Sequence, residues 1–167
     1  YLLRHSTAED LPPPGLAGDR FRRLTPEGRE KARRIGRAIQ RLSPGIEWVL
    51  TSPAPRARET ADAVVGTLRP RPPVEELDAL WIGGEARAVA ARLRRGFGDT
   101  SAVLLVGHEP DLGRLASLWL TGGAGLRLVF KKGGLCKLTV TRPAAGKCAV
   151  LDWLLAPRQL ALIAGAG

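Results

Sequence analysis

The chain has 167 residues, 44% of them hydrophobic and 25% charged, enough to bury a core without disulfide or metal support, and its composition excludes both a fibrous repeat and a disordered chain. No apolar run approaches the roughly 20 residues that cross a bilayer, and the opening segment runs straight into Arg4-His5 rather than a secretory leader, so a soluble, unexported, cytoplasmic protein is expected. The formal charge of +10 is mostly arginine, which attracts phosphorylated molecules, nucleic acid or acidic proteins. The plainer reading spreads it over solvated helix faces such as Arg29, Lys31, Arg33, Arg34, Arg37 and Arg41, and with few aromatics between them a nucleic-acid partner is not expected.

The first element is a strand, Tyr1-Leu2-Leu3, closed by Arg4-His5. A long irregular stretch from Ser6 to Leu24 follows, holding Pro12-Pro13-Pro14-Gly15 and then Arg20, Arg22 and Arg23; loops of this length in compact proteins are functional or mobile. Thr25-Pro26-Glu27 reads as a helix start, with Ala32, Ile35, Ala38, Ile39 and Leu42 along one apolar stripe. Ile46 to Leu50 is a short buried strand ending at Thr51-Ser52, and Ala57, Ala61, Val64, Val65 and Leu68 repeat at helical spacing.

A weak strand near Val74 to Leu77, a helix from about Glu85 to Arg95, a strong strand Ala102 to Val106 and a helix opened by Pro110-Asp111 continue the alternation. Leu135 to Thr141 and Cys148 to Leu155 then form a hairpin around Pro143-Ala144-Ala145-Gly146, and Ala161 to Gly167 reads as a frayed tail. The sum is one α/β domain over residues 1–167: a three-layer α/β/α sandwich with a mostly parallel central sheet and a C-terminal hairpin. Cys136 and Cys148 fall in apolar stretches without metal-ligand spacing, and neither a metal nor another cofactor is expected.

The chain has only two histidines, and both sit where an apolar strand ends: His5, and His108 after Val103-Leu104-Leu105-Val106-Gly107. Ligands of open α/β sheets bind beyond the carboxyl ends of the strands, where this chain also carries Arg4, Thr51-Ser52 and Arg56. A guanidinium fork can hold two phosphate oxygens while a neutral imidazole offers a lone pair to phosphorus, so two arginines and two histidines suit a phosphate pocket.

These residues resemble the histidine phosphatase superfamily, the phosphoglycerate-mutase-like proteins, whose first motif is a strand ending in Arg-His-Gly. Here that motif reads LLRHS, followed by Leu24-Thr25-Pro26-Glu27-Gly28, by Ser52-Pro53-Ala54-Pro55-Arg56-Ala57-Arg58-Glu59-Thr60-Ala61, and by Val106-Gly107-His108-Glu109-Pro110. The resemblance implies that His5 is the nucleophile that becomes phosphorylated, that Arg4 and Arg56 grip phosphate oxygens, and that His108 adds positive charge or a hydrogen bond. Ser6 and Glu109 are further substrate-binding candidates. Nearby arginines are expected to help keep His5 unprotonated, with a backbone carbonyl holding its other nitrogen.

Ser6 stands where the family motif has glycine, so its side chain either crowds the phosphate or donates a hydroxyl to it. Larger members use a glutamate as general acid; Glu76, Glu85 and Glu9 are the candidates here, with an ordinary surface role the alternative for each. A phosphorylated imidazole needs less acid assistance than an alkoxide, and the short chain is similar to the small SixA-type phosphohistidine phosphatases. The expected function is therefore phosphohistidine hydrolysis, on a phosphorylated protein or another small anionic phosphate substrate. The alternatives are a small-molecule phosphatase or mutase with the same intermediate, and a non-catalytic module that binds phosphate or nucleic acid.

Overall fold

The computed structural model describes residues 1–42, 45–97 and 102–165. Its strands β1 (Leu2–Arg4), β2 (Trp48–Thr51), β3 (Val74–Glu76), β4 (Val103–Gly107), β5 (Leu135–Val140) and β6 (Ala149–Leu155) form a six-stranded sheet in the order β3-β2-β4-β1-β5-β6. The first four strands in that order are parallel; β5 runs antiparallel to β1, and β6 antiparallel to β5. Register sets Arg4 opposite Gly107 and Thr51 opposite Val106, so the chain leaves three adjacent strands at one edge with His5, Ser52 and His108 as the next residues.

Alternation along the strands supplies two apolar faces, as the pleat requires. Leu3, Val49 and Leu104 face one way and pack with α1 (Pro26–Leu42), α2 (Pro55–Val65) and α5 (Pro157–Ala164). Leu2, Leu50 and Leu105 face the other way, under α3 (Ala86–Gly96) and α4 (Asp111–Thr121). The expected three-layer α/β/α sandwich, mixed through its C-terminal hairpin, is therefore present.

Helix α1 starts as the sequence predicts: the Thr25 hydroxyl accepts the Gly28 amide at 2.9 Å, and Pro26 occupies the first helical position. Its stripe buries Ala32, Ile35, Ala38 and Ile39, but Leu42, the last residue of the helix, is exposed. Gly28 is fixed by close approach, since a β-carbon there would overlap the Thr7 carbonyl oxygen. The helix start is thereby pressed against the segment that follows His5.

The expected frayed tail is overturned for Ala161 to Ala164, which form the second half of α5. Pro157 opens this helix, the Gln159 side chain accepts the Ala156 amide at 2.7 Å, Leu160 and Ala164 are buried against α1, and Arg41 donates to the Ile163 carbonyl at 2.7 Å. Residues 166 and 167 of that expected tail lie outside the described residues. Among the described residues no helix is long and apolar enough to cross a membrane.

The long Ser6 to Leu24 stretch is tied down at its base. Ala8 bridges Leu24, the Glu9 amide donates to Arg23 at 2.9 Å, and Glu59 on α2 takes the Leu24 amide together with Arg23 and Arg29. A 3-10 turn at Asp19–Phe21 then crosses over α2 where Arg56 emerges.

Candidate active site

His5 follows directly on β1. Its amide donates to the Gly107 carbonyl at 3.0 Å and its own carbonyl accepts from Gly133 at 3.0 Å, so the backbone carrying the ring is held from both neighbouring segments. The ring's Nδ1 lies 2.7 Å from the Ser6 carbonyl oxygen. A carbonyl can only accept, so Nδ1 carries the proton, and in the neutral ring Nε2 keeps its lone pair.

Burial is the largest reason that the His5 imidazole is pushed down from 6.5 to about 3; His108, Arg56 and Arg4 act in the same direction, while the Ser6 carbonyl opposes them. The sequence expectation of a neutral His5 therefore holds, with burial outweighing the arginines it named. His108 is pushed down to about 4, first by burial, then by Arg56 and Arg4 against the opposing charge of Asp19. Both rings are neutral at pH 7, and their centroids lie 5.2 Å apart.

His108 Nε2 lies 2.8 Å from the Ser52 hydroxyl oxygen, which also accepts the Ala54 amide at 3.2 Å. The hydroxyl keeps a second lone pair and its own proton, so it can accept from Nε2 or donate to it, and the donating form is the one that leaves His108 an N–H for an anion. That assignment places the His108 proton on Nδ1, a buried atom without a hydrogen-bond partner among the described residues.

The two arginines share a design. Arg4 donates through Nη1 to the Phe130 carbonyl at 2.7 Å; Arg56 donates through Nη1 to the Asp19 carbonyl and through Nη2 to the Asp19 carboxylate, both at 2.6 Å. In each, the Nε–H is buried and has no partner among the described residues. Arg4 is thus anchored to a loop by one outer nitrogen and Arg56 by both, and each retains an inner donor, as an anion site requires. The Ser6 hydroxyl is also buried and without a partner among the described residues, while the Ser6 amide donates to the Thr60 hydroxyl at 3.0 Å. That same hydroxyl donates to the Arg56 carbonyl at 2.6 Å, fastening the segment after His5 to the first turn of α2.

The structure thus brings His5, Arg4, Arg56 and His108 together, with Ser6 beside them. It does not bring the expected acids to them. Glu76 is exposed and paired with Arg58 at 3.2 Å, Glu85 is exposed just ahead of α3, and Glu9 lies at the base of the long loop. The Glu109 carboxylate, an expected substrate contact, sits on the amides of Gly113 at 3.2 Å and Phe130 at 3.4 Å.

Sequence reasoning missed Asp19, the carboxylate that reaches Arg56. It is paired with Arg22 at 2.8 Å as well, and the Arg22 Nε is a further buried donor without a partner among the described residues. The available signal was an acid placed three residues before an arginine in a long loop, too common a pattern to single out.

Residues 1–81 match the family described as the histidine phosphatase superfamily, branch 1. An uncharacterised protein of Picosynechococcus sp. (strain ATCC 27264 / PCC 7002 / PR-6) is 36% identical over 140 residues, covering 83% of this chain and 82% of the relative. The solved structure of the protein histidine phosphatase SixA complexed with tungstate superimposes with a TM-score of 0.78 at 26% identity, over 95% of this chain and 97% of that one. A protein assigned as the phosphohistidine phosphatase SixA of Nakamurella multipartitia gives 0.75 at 26% identity, over 93% and 95%. The chain belongs to the histidine phosphatase superfamily, and its fold is phosphoglycerate-mutase-like.

Proposed function

We propose that this protein is a phosphatase that hydrolyses phosphohistidine through a covalent phosphohistidine intermediate on His5. The observation that carries the reading is the 2.7 Å contact from His5 Nδ1 to the Ser6 carbonyl, which fixes the tautomer and leaves Nε2 as a nucleophile in a ring that stays neutral far below pH 7. Around it, Arg4 Nε, Arg56 Nε, His108 Nδ1 and Ser6 Oγ are buried polar atoms without protein partners among the described residues. Buried donors are ordinarily satisfied, and a phosphoryl group offers oxygens to satisfy them. The tungstate oxyanion held by the related SixA protein supports the same reading.

In the first step His5 Nε2 attacks phosphorus in line with the leaving nitrogen. A phosphoimidazole protonated on its other nitrogen departs as neutral imidazole: the P–N bond of the substrate breaks, its electron pair stays with the released ring, and a new N–P bond forms on His5. Arg4 and Arg56 hold the equatorial oxygens, and His108 and Ser6 each donate one hydrogen bond. In the second step water attacks phospho-His5, the N–P pair returns to Nε2, and orthophosphate leaves carrying the two protons of the water.

Phosphohistidine is favoured over an ester because neither step draws on a carboxylic acid. Among the described residues no contact links Glu9, Glu76 or Glu85 to the four central residues, and Asp19 is committed as an acceptor to two guanidinium groups. The site belongs to one domain over residues 1–167, acting in the cytoplasm on a phosphorylated protein. Turnover of a phosphohistidine peptide against a panel of sugar, nucleotide and aryl phosphates tests the substrate. The expected result is at least a tenfold higher kcat/KM for the peptide, on the order of one favourable contact. Faster turnover of an ester would overturn the substrate class, and salt-sensitive nucleic-acid binding without any turnover would favour a binding module.

A further inference from the structure

We infer that Glu109 is a positioning residue for Arg4, acting through the Phe130 peptide. This rests on Arg4 being a phosphate ligand of the proposed site. Glu109 immediately follows His108, and its two carboxylate oxygens take different amides: one accepts from Gly113 in the first turn of α4 at 3.2 Å, the other from Phe130 at 3.4 Å. The carbonyl of the same Phe130 accepts Arg4 Nη1 at 2.7 Å. A carboxylate therefore holds one end of this residue's backbone while a phosphate-gripping guanidinium holds the other.

The Phe130 side chain is fully buried under the α3/α4 face of the sheet, so the residue is pinned by its ring as well as by its backbone. Its setting needs that help. Residues 122–134 between α4 and β5 carry neither helix nor strand; Ser117 on α4 holds the loop at Gly123 and Leu126, and Glu109 is the side chain that holds the Phe130 amide itself. Glu109 ties this loop to α4, whose first-turn amides lack helical partners and favour negative charge. The negative charge also opposes the effect of burial on the Arg4 guanidinium.

Gly113 is part of the device. A β-carbon on it would stand 3.1 Å from one Glu109 oxygen, 3.4 Å from the other and 3.2 Å from the Leu128 carbonyl, so a side chain there would press the carboxylate and that carbonyl back by a few tenths of an ångström. Glutamine at position 109 would keep the length but turn an NH2 group toward one of the two amides, donor against donor. It should therefore retain only part of the function.

The experiment is a double-mutant cycle read by inorganic phosphate affinity, by calorimetry, and by kcat and KM for an aryl phosphate. In the wild-type background Glu109→Ala is expected to weaken phosphate binding about 10- to 100-fold, as misplaced ligands do, with Glu109→Gln intermediate and Gly113→Ala acting in the same direction. In an Arg4→Lys background, which keeps a cation and measurable affinity, Glu109→Ala should cost less than threefold further. In an Arg56→Lys background it should keep its full effect.

Equal losses in the Arg4→Lys and Arg56→Lys backgrounds, or no loss in the wild type, would overturn the inference. If Glu109→Ala fails to fold, Glu109→Gln carries the same cycle. Wild-type protein that neither binds phosphate nor turns over substrate would instead overturn the functional reading on which the inference rests.

Discussion

Two buried imidazoles set the chemistry through a property that neither has in water. Transfer from solvent to the interior disfavours the charged ring, and the guanidinium groups of Arg4 and Arg56 add to that bias. A titration of the Cε1–H signals by NMR should show neither His5 nor His108 taking up a proton above about pH 5, whereas midpoints between 6 and 7 would show that the rings are solvated. Arg56→Ala should lower kcat/KM about 10²- to 10³-fold, the cost of one preorganised donor to an oxyanion. Asp19→Asn keeps the carbonyl contact to Arg56 but loses the ion pair, and is expected to cost on the order of tenfold, mainly in KM. A rise in phosphate affinity in that variant would identify Asp19 as a competitor of the substrate rather than an anchor. At this scale the meeting of the four central residues was legible, because Arg4, His5 and His108 stand in motifs at strand ends and Arg56 in one that opens α2. Asp19 and the Phe130 carbonyl were not, since each acts through its position in a loop whose course is set by distant contacts.

The elements were read from periodicity, and they succeed or fail with its length. Helix α1, with 17 residues and a capped start, shows its stripe several times over, and only Leu42, at its last position, departs from it. Helix α5 has eight residues and just over two turns; its burial depends on Arg41 and the far end of α1, more than a hundred residues away. Leu160→Ala should therefore destabilise the protein by about 2–5 kcal/mol in a denaturant melt. A loss below about 0.5 kcal/mol would mean that the tail is frayed after all. Gly28→Ala links the element scale back to the site: the new β-carbon would push Thr7, and with it the segment after His5, away from the start of α1. The hairpin of β5 and β6 was legible because the alternation from Leu135 to Thr141 and the apolar run from Cys148 to Leu155 flank the turn at residues 143–146, although the register shift between Lys137 and Leu138 was not.

At the scale of the whole molecule, two linkages follow from burial and charge. The unfolded chain protonates both histidines as pH falls through 6.5, while the folded chain resists until about 4 for His108 and about 3 for His5. The folded pKa values are depressed, so stability must fall as pH drops from 7 toward 4; the two rings together account for a loss on the order of 3–4 kcal/mol between pH 7 and pH 5. Urea melts at the two pH values measure it, and equal midpoints would contradict the burial of the rings. The formal charge of +10 predicts in addition that kcat/KM for an anionic substrate declines with added salt, since steering is screened beyond about 10 Å at 0.1 M. The proposed reaction needs one imidazole, held by the carbonyl of the next residue, to accept a phosphoryl group. Its most direct measurement is rapid quenching of the protein with a phosphodonor, followed by mapping of the label. The expected label is acid-labile, base-stable and carried by His5, and it disappears together with turnover in His5→Ala. A label on any other residue, or undiminished hydrolysis by that variant, would contradict the account.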